Sequence, residues 1–534
     1  MITNTPLLLA CSLLIACGQA QGTEHRPEGL IYCAEGAPHT FNPQLTNQGT
    51  TLDAVSYPLY DRLLELNPIT LALEPALATE WSVSEDGLRY RFTLRKGVMF
   101  HASPDFLPTR PLNADDVIFS FARVLDPRHP YYHVSGGRYP FFKNLGLDRL
   151  IKGVHKRSER VVEFELERPN AAFLADLASA NSVILSSEYA DKLLLAGTPD
   201  RIDKAPVGTG PYRLKEYRDN QFIRYVRHDA YWKGPARTGQ LIFDIIPRSA
   251  KRLTKLLTGE CDVMSYPAAS QIGVIQSHPE LSLSVQSGMN VAFVALNTRQ
   301  PPLNDVRVRQ ALSLAINRDN LLHAVYYDTG EPARSLLPPL SWGFDPAQPP
   351  VRRDVAAAKQ LLKEAGMAKG FEMRLLAPVG SRSYNPDPLK TAQLIRNDLA
   401  LIGVKVKIQK LEQSVLDHAI DNGRYDAVLG GWQADNNDPD NFFRQLLGCQ
   451  AIASGSNMSR WCSPSFEQLL DDAVSTQQLG FRIRNYYYAQ KVLAQEVPLI
   501  PLAHALQTQA SRYDIQGVQM NPLGGTLFNG AYQE

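Results

Sequence analysis

The sequence predicts an α/β protein with more than one domain. Strand patterns and helix patterns alternate along the chain, which favours sheets covered by helices. The chain has 534 residues, of which 44% are hydrophobic, and a single simple domain normally stops growing well before this length. Its 37 prolines and 35 glycines are scattered, with no low-complexity linker. We therefore expect two or three domains that are joined by short crossings.

The first clear pair of elements lies between residues 89 and 125. Tyr90, Phe92 and Leu94 alternate with polar residues, a period-two pattern typical of a half-buried strand. We predict that Asn113 caps the next helix and that the helix dipole favours Asp116. The apolar stripe of this helix comprises Val117, Ile118, Phe121, Ala122 and Leu125.

The same alternation recurs in the second half of the chain. Asn304 is predicted to cap a helix. Its apolar stripe, expected in the core, comprises Val308, Ala311, Leu312, Ala315 and Ile316. Further on, we predict a helix over Val355–Glu364, a strand over Phe371–Leu376, a helix over Pro388–Ile402 and a strand over Val404–Ile408.

The charge balance gives no reason to expect nucleic acid as a partner. Lys and Arg number 55 against 54 Asp and Glu, so the net charge is +1. A charged ligand must therefore be met by local groups rather than by an overall field.

The N-terminal region predicts export from the cytoplasm. The apolar run Leu7–Ala16 is too short to span a bilayer, and Leu14-Ile15-Ala16-Cys17 resembles a bacterial lipobox in which Cys17 becomes lipidated. Cleavage after Gly18-Gln19-Ala20 is the alternative, because no Lys or Arg precedes the run. Either route predicts a periplasmic protein, with a signal peptide over residues 1–20, that is soluble or held by its lipid.

Four cysteines remain after the signal region: Cys33, Cys261, Cys449 and Cys462. In an oxidising compartment we expect disulfides, and three pairings are open. The spacing favours a local bridge between Cys449 and Cys462, which leaves Cys33 for Cys261. A zinc site is the rival, but no Cys-x-x-Cys motif accompanies these positions.

Catalytic signatures are absent from the sequence. We find no Gly-x-x-x-x-Gly-Lys, His-Glu-x-x-His or Gly-x-Ser-x-Gly motif, and these motifs mark phosphate loops, metalloproteases and serine hydrolases. Gly208-Thr209-Gly210 lacks the third glycine of a dinucleotide fingerprint and is predicted to be a structural turn. We expect a protein that is not an enzyme and has no cofactor or metal.

Several segments carry a family resemblance. They are Leu30 to Gly36, Phe41-Asn42-Pro43, Leu112 to Val117, Pro206 to Tyr212 and Asn437 to Phe443. From about residue 29 to its end, the chain resembles the peptide-binding solute-binding proteins, family 5, of ABC transporters. Within that family it is most similar to the dipeptide-binding and the Sap (sensitivity to antimicrobial peptides) branches, the latter through Lys255 to Val263.

The resemblance implies a periplasmic binding protein fold of the larger kind. Two α/β lobes are hinged by two crossings, the first lobe is subdivided, and the ligand is enclosed between the lobes. The implied divisions are 29–57, 58–181 and 182–288 in the first lobe, 289–497 in the second lobe, and 498–534 returning to the first lobe. The resemblance also supports the cysteine pairing given above.

The resemblance further implies a site for the two charged ends of a short peptide. A zwitterion that leaves water needs an opposite charge for each terminus. Asp435 aligns with the family aspartate that holds the peptide amine, and Arg382 aligns with the arginine that holds the carboxylate in the dipeptide branch. A guanidinium suits a carboxylate because it can bind it through two bonds.

Backbone groups are expected to hold the peptide like an added strand. Gly49-Thr50-Thr51 and Gly430-Gly431-Trp432 match the segments that supply these bonds in the family, and Trp432 and Tyr384 are expected to line side-chain pockets. The acidic run Asp435, Asp438 and Asp440 lacks the glycine and glutamate of an EF-hand calcium loop.

The predicted function is the capture of short peptides, dipeptides foremost, for the permease subunits of an ABC transporter in the inner membrane. A monomer is expected. The alternative is the binding protein of a Sap-type system, with an antimicrobial peptide or haem as its cargo, because a fold does not set the ligand.

Overall fold

The structure is a computed structural model that describes residue 1, residues 29–46 and residues 49–534. The predicted export signal, with Leu7–Ala16 and Cys17, lies outside these residues. Each helix in the described ranges is too short or too polar to span a bilayer.

The strands follow one another along the whole chain. In chain order they are β1 (Leu30–Ala34), β2 (Leu64–Leu66), β3 (Leu73–Pro75), β4 (Ala78–Val83), β5 (Arg89–Leu94), β6 (Ile151–Ser158), β7 (Val161–Leu166), β8 (Tyr212–Arg218), β9 (Phe222–Arg227), β10 (Gln240–Ile245), β11 (Val263–Ser265), β12 (Leu281–Ser287), β13 (Asn290–Leu296), β14 (Gly330–Pro332), β15 (Glu372–Pro378), β16 (Lys405–Leu411), β17 (Ala427–Gln433), β18 (Leu499–Arg512), β19 (Ile515–Gln516), β20 (Gln519–Met520), β21 (Thr526–Leu527) and β22 (Tyr532–Gln533).

Helices alternate with these strands. In chain order they are α1 (Gly49–Thr51), α2 (Tyr57–Leu59), α3 (Ala114–Leu125), α4 (Pro140–Asn144), α5 (Leu147–Leu150), α6 (Phe173–Ala178), α7 (Ser187–Leu195), α8 (Ser249–Leu257), α9 (Ile272–Ser277), α10 (Val306–Ala315), α11 (Arg318–Leu321), α12 (Val355–Glu364), α13 (Pro388–Ala400), α14 (Gln413–Asp421), α15 (Asp440–Leu447), α16 (Pro464–Val474) and α17 (Leu479–Glu496). A π-helical stretch, Leu52–Ser56, joins α1 to α2.

One mixed sheet runs through the molecule. Its strand order is β16-β15-β17-β13-β18-β11-β1-β10-β9-β8, and β12 and β14 also pair with β18. We call the part that carries β1 and β8–β11 the first lobe, and the part that carries β13 and β15–β17 the second lobe. A separate sheet, β4-β5-β7-β6, shares an apolar cluster with β1.

Two chain crossings join the lobes. The first half of β18 pairs with β13, from Leu499 opposite Ala295 to Ala503 opposite Ala292. Its second half pairs with β12, from Leu506 opposite Ser287 to Arg512 opposite Leu281. The chain thus passes between the lobes once from β12 to β13 and once within β18. The two-lobed α/β fold expected from the resemblance is confirmed, while its residue boundaries remain predictions.

The side chain of Asn290 ties the two crossings together. Its Nδ2 donates to the carbonyl oxygen of Ala505 at 2.9 Å, and its Oδ1 accepts from the backbone N–H of Ala505 at 2.8 Å. The imidazole of His504 also bonds to the carbonyl oxygen of Asn290 at 2.7 Å. A buried amide therefore holds β18 between its pairing with β13 and its pairing with β12, opposite the edge that pairs with β14.

Local patterns predicted most of the elements correctly. Asn113 caps α3, and Asp116 accepts a bond from the N–H of Asn113 in a capping box. The prediction that Asn304 caps α10 is wrong by one residue. The cap is Asp305, whose side chain accepts from the N–H of Arg307 at 2.8 Å, because a carboxylate at that place meets the free N–H groups of the first turn.

The predicted apolar stripes form the cores. Val117 and Phe121 lie in a large cluster that extends through the first lobe. The stripe of α10 is buried against the sheet of the second lobe in a cluster of its own. The large cluster also contains residues of the second lobe, such as Phe293 and Phe443, so apolar contacts are continuous between the two lobes.

The remaining structural predictions concern cysteines and one turn. The structure pairs Cys33 with Cys261 and Cys449 with Cys462, with Cα atoms 5.9 Å and 4.8 Å apart. The turn at Gly208 packs on the backbone at Leu59, where an added Cβ would lie 1.9 Å from the carbonyl oxygen. This glycine serves close packing of the backbone, as predicted.

Replacing Asn290 tests the tie between the crossings. We expect Asn290→Ala to lower the free energy of unfolding by about 2 kcal/mol, because two buried hydrogen bonds are lost and two backbone groups of Ala505 are left without partners. Urea unfolding measures the change. Asn422→Ala, at an exposed helix end, is the control and should change it by less than about 0.5 kcal/mol. Equal effects of the two variants would contradict a stabilising role for the hydrogen bonds between Asn290 and Ala505.

Candidate functional site

Asp435 follows the end of β17 and is held by the next helix. Its backbone N–H donates to Oδ1 of Asn441 at 3.1 Å, and Nδ2 of Asn441 donates to a carboxylate oxygen of Asp435 at 3.3 Å. The indole N–H of Trp432 donates to the same Oδ1 at 3.0 Å. Asn441, at the start of α15, thus orients Asp435 and Trp432 together.

The carboxylate of Asp435 lacks a positive partner. Burial raises its pKa to about 6, and the bond from Asn441 opposes this rise. Among the described residues, Asp435 forms no ion pair. A desolvated carboxylate in this state gains free energy when a cation binds beside it.

Asp435 faces a small cavity between the lobes. The other walls come from the first lobe and from the returning C-terminal segment, within residues 52–66, 178–181 and 521–523. The cavity offers about 20 Å³ to the centres of water-sized spheres, which is room for one or two water molecules. Among the described residues, Asp435 is the one predicted ligand residue that lines it.

The lobes touch each other beside this cavity. Nδ2 of Asn436 donates to a carboxylate oxygen of Asp176 at 2.8 Å, and Nδ2 of Asn437 donates to the carbonyl oxygen of Leu71 at 2.6 Å. Burial, with Asp438 and Asp440 nearby, raises the pKa of Asp176 well above its usual value. The structure therefore has its cleft closed by hydrogen bonds from the loop that carries Asp435.

Strand β17 keeps an open backbone edge next to the site. Over its whole length it pairs with β13 on one side. On the other side it pairs with β15 only at Ala427 and Val428. The stretch from Leu429 to Gln433, which contains Gly430, Gly431 and Trp432, has no strand partner there among the described strands.

Tyr384 packs on this stretch of β17. A Cβ added at Gly431 would lie 2.1 Å from a ring carbon of Tyr384, and one at Gly430 would lie 3.0 Å from the sulfur of Met458. The hydroxyl of Tyr326 donates to the carbonyl oxygen of Tyr384 at 2.8 Å, which fixes the segment. The glycine at 431 is required by contact with the aromatic ring.

Arg382 lies in the loop after β15, close to Tyr384. Its backbone forms a two-bond bridge with Asn385, at 2.9 Å and 3.0 Å. Its guanidinium donates to Oε1 of Gln413 at 2.8 Å and to the carbonyl oxygen of Ser381 at 3.2 Å. Its side-chain partners are neutral, so the guanidinium remains free to take a carboxylate. Arg382 is not among the residues that line the cavity at Asp435.

The segment Gly49-Thr50-Thr51 forms α1 and enters the π-helical stretch whose first residue, Leu52, lines the cavity. The hydroxyl oxygen of Thr51 accepts a bond from the N–H of His39 at 3.1 Å. Thr51 is fully buried. The structure thus places this segment one residue from the cavity.

The acidic run after Asp435 is used in ion pairs. Asp438 accepts from Arg482 at 2.7 Å and from the hydroxyl of Tyr486 at 3.2 Å. Asp440 accepts from Arg444 at 2.8 Å. Within the described part of the chain, no group of three or more His, Cys, Asp or Glu side chains is placed to hold a metal ion. These aspartates serve to build the loop.

Sequence reasoning did not single out Arg62 and Tyr57, which also line the cavity. The hydroxyl of Tyr57 donates to the carbonyl oxygen of Gly524 at 3.1 Å and accepts from Nδ2 of Asn521 at 3.0 Å. No local pattern marks either residue. Their place depends on contacts between segments that are hundreds of residues apart in the chain.

The comparisons with known proteins agree with this architecture. The family model for bacterial extracellular solute-binding proteins, family 5 (middle region), matches residues 72–454. The chain belongs to this family. Family 5 proteins bind solutes outside the cytoplasm, so the cleft between the two lobes is the place to seek a ligand.

Individual family members are similar over nearly the whole chain. The probable ABC transporter periplasmic-binding protein SapA of Escherichia coli is 44% identical over 95% of this chain and 93% of its own. The dipeptide-binding protein of the same organism is 43% identical over 93% and 92%. The crystal structure of a dipeptide-binding protein from Pseudoalteromonas, in complex with Met-Leu, is 42% identical, with a TM-score of 0.86 over 95% and 100%.

The contact between Gly431 and Tyr384 gives a stability prediction. We expect Gly431→Ala to lower the free energy of unfolding by about 1 to 3 kcal/mol, because the new methyl group overpacks the ring. Gly273→Ala is the control, since a Cβ there, in α9, meets no atom within 4 Å. Thermal unfolding followed by circular dichroism compares them. The contact is not as described if the two variants behave alike.

The raised pKa of Asp435 predicts that replacing this residue increases stability, in contrast to the loss expected for Gly431→Ala. Its folded pKa, about 6, lies above its usual value of 3.8, so its charged form destabilises the ligand-free protein. We expect Asp435→Asn to raise the free energy of unfolding at pH 7, by on the order of 2 kcal/mol. The gain should fade as the pH falls from 6 to 4, where the wild-type carboxyl is also neutral.

Urea unfolding at pH 7 and at pH 4 measures this difference. Asp229→Asn, at an exposed aspartate, is the control and should stay within about 0.5 kcal/mol of the wild type. A less stable Asp435→Asn protein at pH 7 would show that the carboxylate has a stabilising partner in the free protein.

Proposed function

We propose that this protein is the extracytoplasmic substrate-binding component of an ABC transporter that captures short peptides, dipeptides foremost. It holds them by their charged termini and delivers them to the permease subunits in the inner membrane. The observation that carries this proposal is Asp435, a partly buried carboxylate that forms no ion pair among the described residues and that one lobe presents to a cavity of the other lobe.

The amine of the peptide is assigned to Asp435. An ammonium that leaves water requires an opposite charge and hydrogen-bond acceptors. Asp435 supplies both, and Asn441 keeps its orientation. Because Asp435 stands on the second lobe while the opposite wall belongs to the first, a bound ligand contacts both lobes and favours closure.

The main chain of the peptide is assigned to the open edge of β17. From Leu429 to Gln433 the strand lacks a partner on the β15 side. An extended peptide that adds to such an edge is held by backbone bonds, which are independent of side-chain identity. The absence of a side chain at Gly431 lets Tyr384 approach this strand, and Trp432 is the next residue of the same edge.

The carboxylate of the peptide is assigned to Arg382. In the described structure its guanidinium donates to Gln413 and Ser381, which are neutral, and two parallel N–H groups match a carboxylate. The loop from Ser381 to Asn385 lies beside β17, because Tyr384 of this loop contacts Gly431. Gly49-Thr50-Thr51, before the cavity, is assigned to backbone contacts from the first lobe.

The similarity to periplasmic binding proteins supports a place in the periplasm, and the similarity to dipeptide-binding proteins supports the ligand class. We include in the proposal a monomer without catalytic activity, which is exported by the N-terminal signal and lipidated at Cys17. A binding role needs no nucleophile or cofactor, and the energy for transport comes from the transporter.

Calorimetric titration of the mature protein tests the ligand. We expect Ala-Ala to bind, and binding to weaken at least about 100-fold on N-acetylation or in Arg382→Ala, since removal of one partner from a desolvated ion pair costs about 3 kcal/mol or more. Arg374→Ala, at an exposed arginine on β15, is the matched control and should leave the affinity unchanged.

The same titration includes a long cationic peptide and haem. A higher affinity for either of these than for any dipeptide would contradict the proposed ligand class and favour a Sap-type role. Unchanged binding of the acetylated dipeptide would contradict the assignment of the amine to Asp435.

A further inference from the structure

A second charge shares the cavity with Asp435. Arg62 lies just before β2, and its backbone is fixed by a bridge to Val183 and by the bond from the N–H of Leu77 to its carbonyl oxygen at 3.0 Å. Its guanidinium carbon lies 5.5 Å from the ring centre of Tyr57. Arg62 and Tyr57 both line the cavity, so the first lobe presents a held cation there.

The guanidinium of Arg62 is not satisfied by the described residues. Its Nε and Nη1 atoms are buried and have no hydrogen-bond partner among them. A guanidinium has five N–H donors in a fixed plane, and leaving such donors buried without acceptors is unfavourable. Within the described part of the chain, these two donors of a cavity-lining residue therefore lack an acceptor.

The acidic residues next to Arg62 are used elsewhere. Asp61 accepts from the hydroxyl of Thr209 at 2.8 Å, from Tyr231 at 3.1 Å and from Trp232 at 3.0 Å. Glu65 pairs with Lys233. The carboxylates adjacent in sequence thus stabilise the fold and leave the charge of Arg62 without a match in its own lobe.

Asp435 does not fill this role either. Arg62 and Asp435 both line the cavity, but no ion pair joins these two described residues. The two opposite charges are therefore presented to one cavity without being paired. A ligand with a positive group for Asp435 and a negative group for Arg62 satisfies both at once.

Covalent geometry connects this cation to one part of a peptide. If the amine binds at Asp435, as proposed above, the first side chain begins on the carbon atom that bears the amine. The cavity next to Asp435 is then the place of that side chain. Its walls include Leu52, Leu66 and Leu523, which suit methylene groups, and its remaining charge is that of Arg62.

We propose that Arg62 binds the side-chain carboxylate of an acidic first residue, so that the protein prefers peptides that begin with Glu or Asp. This inference rests on the proposed function and adds a specificity to it. As the cavity holds only one or two water molecules in the closed structure, such a ligand enters while the contacts of Asn436 and Asn437 with the first lobe are open.

Two dipeptides of almost equal shape, Glu-Ala and Gln-Ala, test the inference. Calorimetric titration at pH 7 is expected to give wild-type binding of Glu-Ala at least tenfold tighter than of Gln-Ala. In Arg62→Gln the ratio should fall below twofold, while Gln-Ala keeps its affinity. Arg62→Lys should restore part of the ratio, and Arg89→Gln, at an exposed arginine of the same lobe, should leave it unchanged.

Each of the following results would overturn the proposed role of Arg62. A wild-type ratio near one, or a ratio that persists in Arg62→Gln, excludes a role of Arg62 in reading the side chain. An equal loss of both peptides in Arg62→Gln, with an unchanged melting temperature, assigns Arg62 to the terminal carboxylate instead. If the wild type binds neither these peptides nor Ala-Ala, the proposed function itself fails, which is a result separate from the other two.

Discussion

The fourteen-residue strand Leu499–Arg512 belongs to both lobes, and the arrangement of the cleft depends on it. Its first half completes the sheet of the second lobe through β13, and its second half completes the sheet of the first lobe through β12 and β11. A strand shared in this way cannot shift its register without disrupting two cores. The pairing of β18 changes from β13 to β12 at His504 and Ala505, so this short stretch connects the two lobes.

The site follows from the same constraint. The lobes meet across a cleft, so charged groups on the facing walls lose water when the cleft closes. Such a group does not need a partner within its own lobe, because a ligand in the cleft can supply one. Asp435 illustrates this on one wall and Arg62 on the other. Their free energy of desolvation is offset when a ligand with complementary charges is present, so the ligand contributes to closure as well as filling space.

The acidic residues near Asp435 have two different roles, because some form ion pairs that stabilise the loop and Asp435 faces the cavity. Asp438 and Asp440 are neutralised by arginines and shape the loop, whereas Asp435, three residues before Asp438, forms no ion pair among the described residues. All three residues are aspartates, so the sequence alone does not show which of them is structural and which faces the ligand. Only the positions of Arg444 and Arg482, contributed by two different helices, separate a structural carboxylate from a free one.

By itself, the sequence determined the alternation of strands and helices, the cap at Asn113, the cysteine pairing and the family, because caps, period and motif spacing are local or are carried along the chain. It placed the cap of α10 one residue early, since Asn304 and Asp305 are both good capping residues and only the backbone geometry selects one. The tertiary structure decided the open edge of β17, the contact of Tyr384 with Gly431 and the place of Arg62. These features arise where segments from residues 52–66, 178–181, 427–435 and 521–523 meet, and no local pattern encodes that meeting.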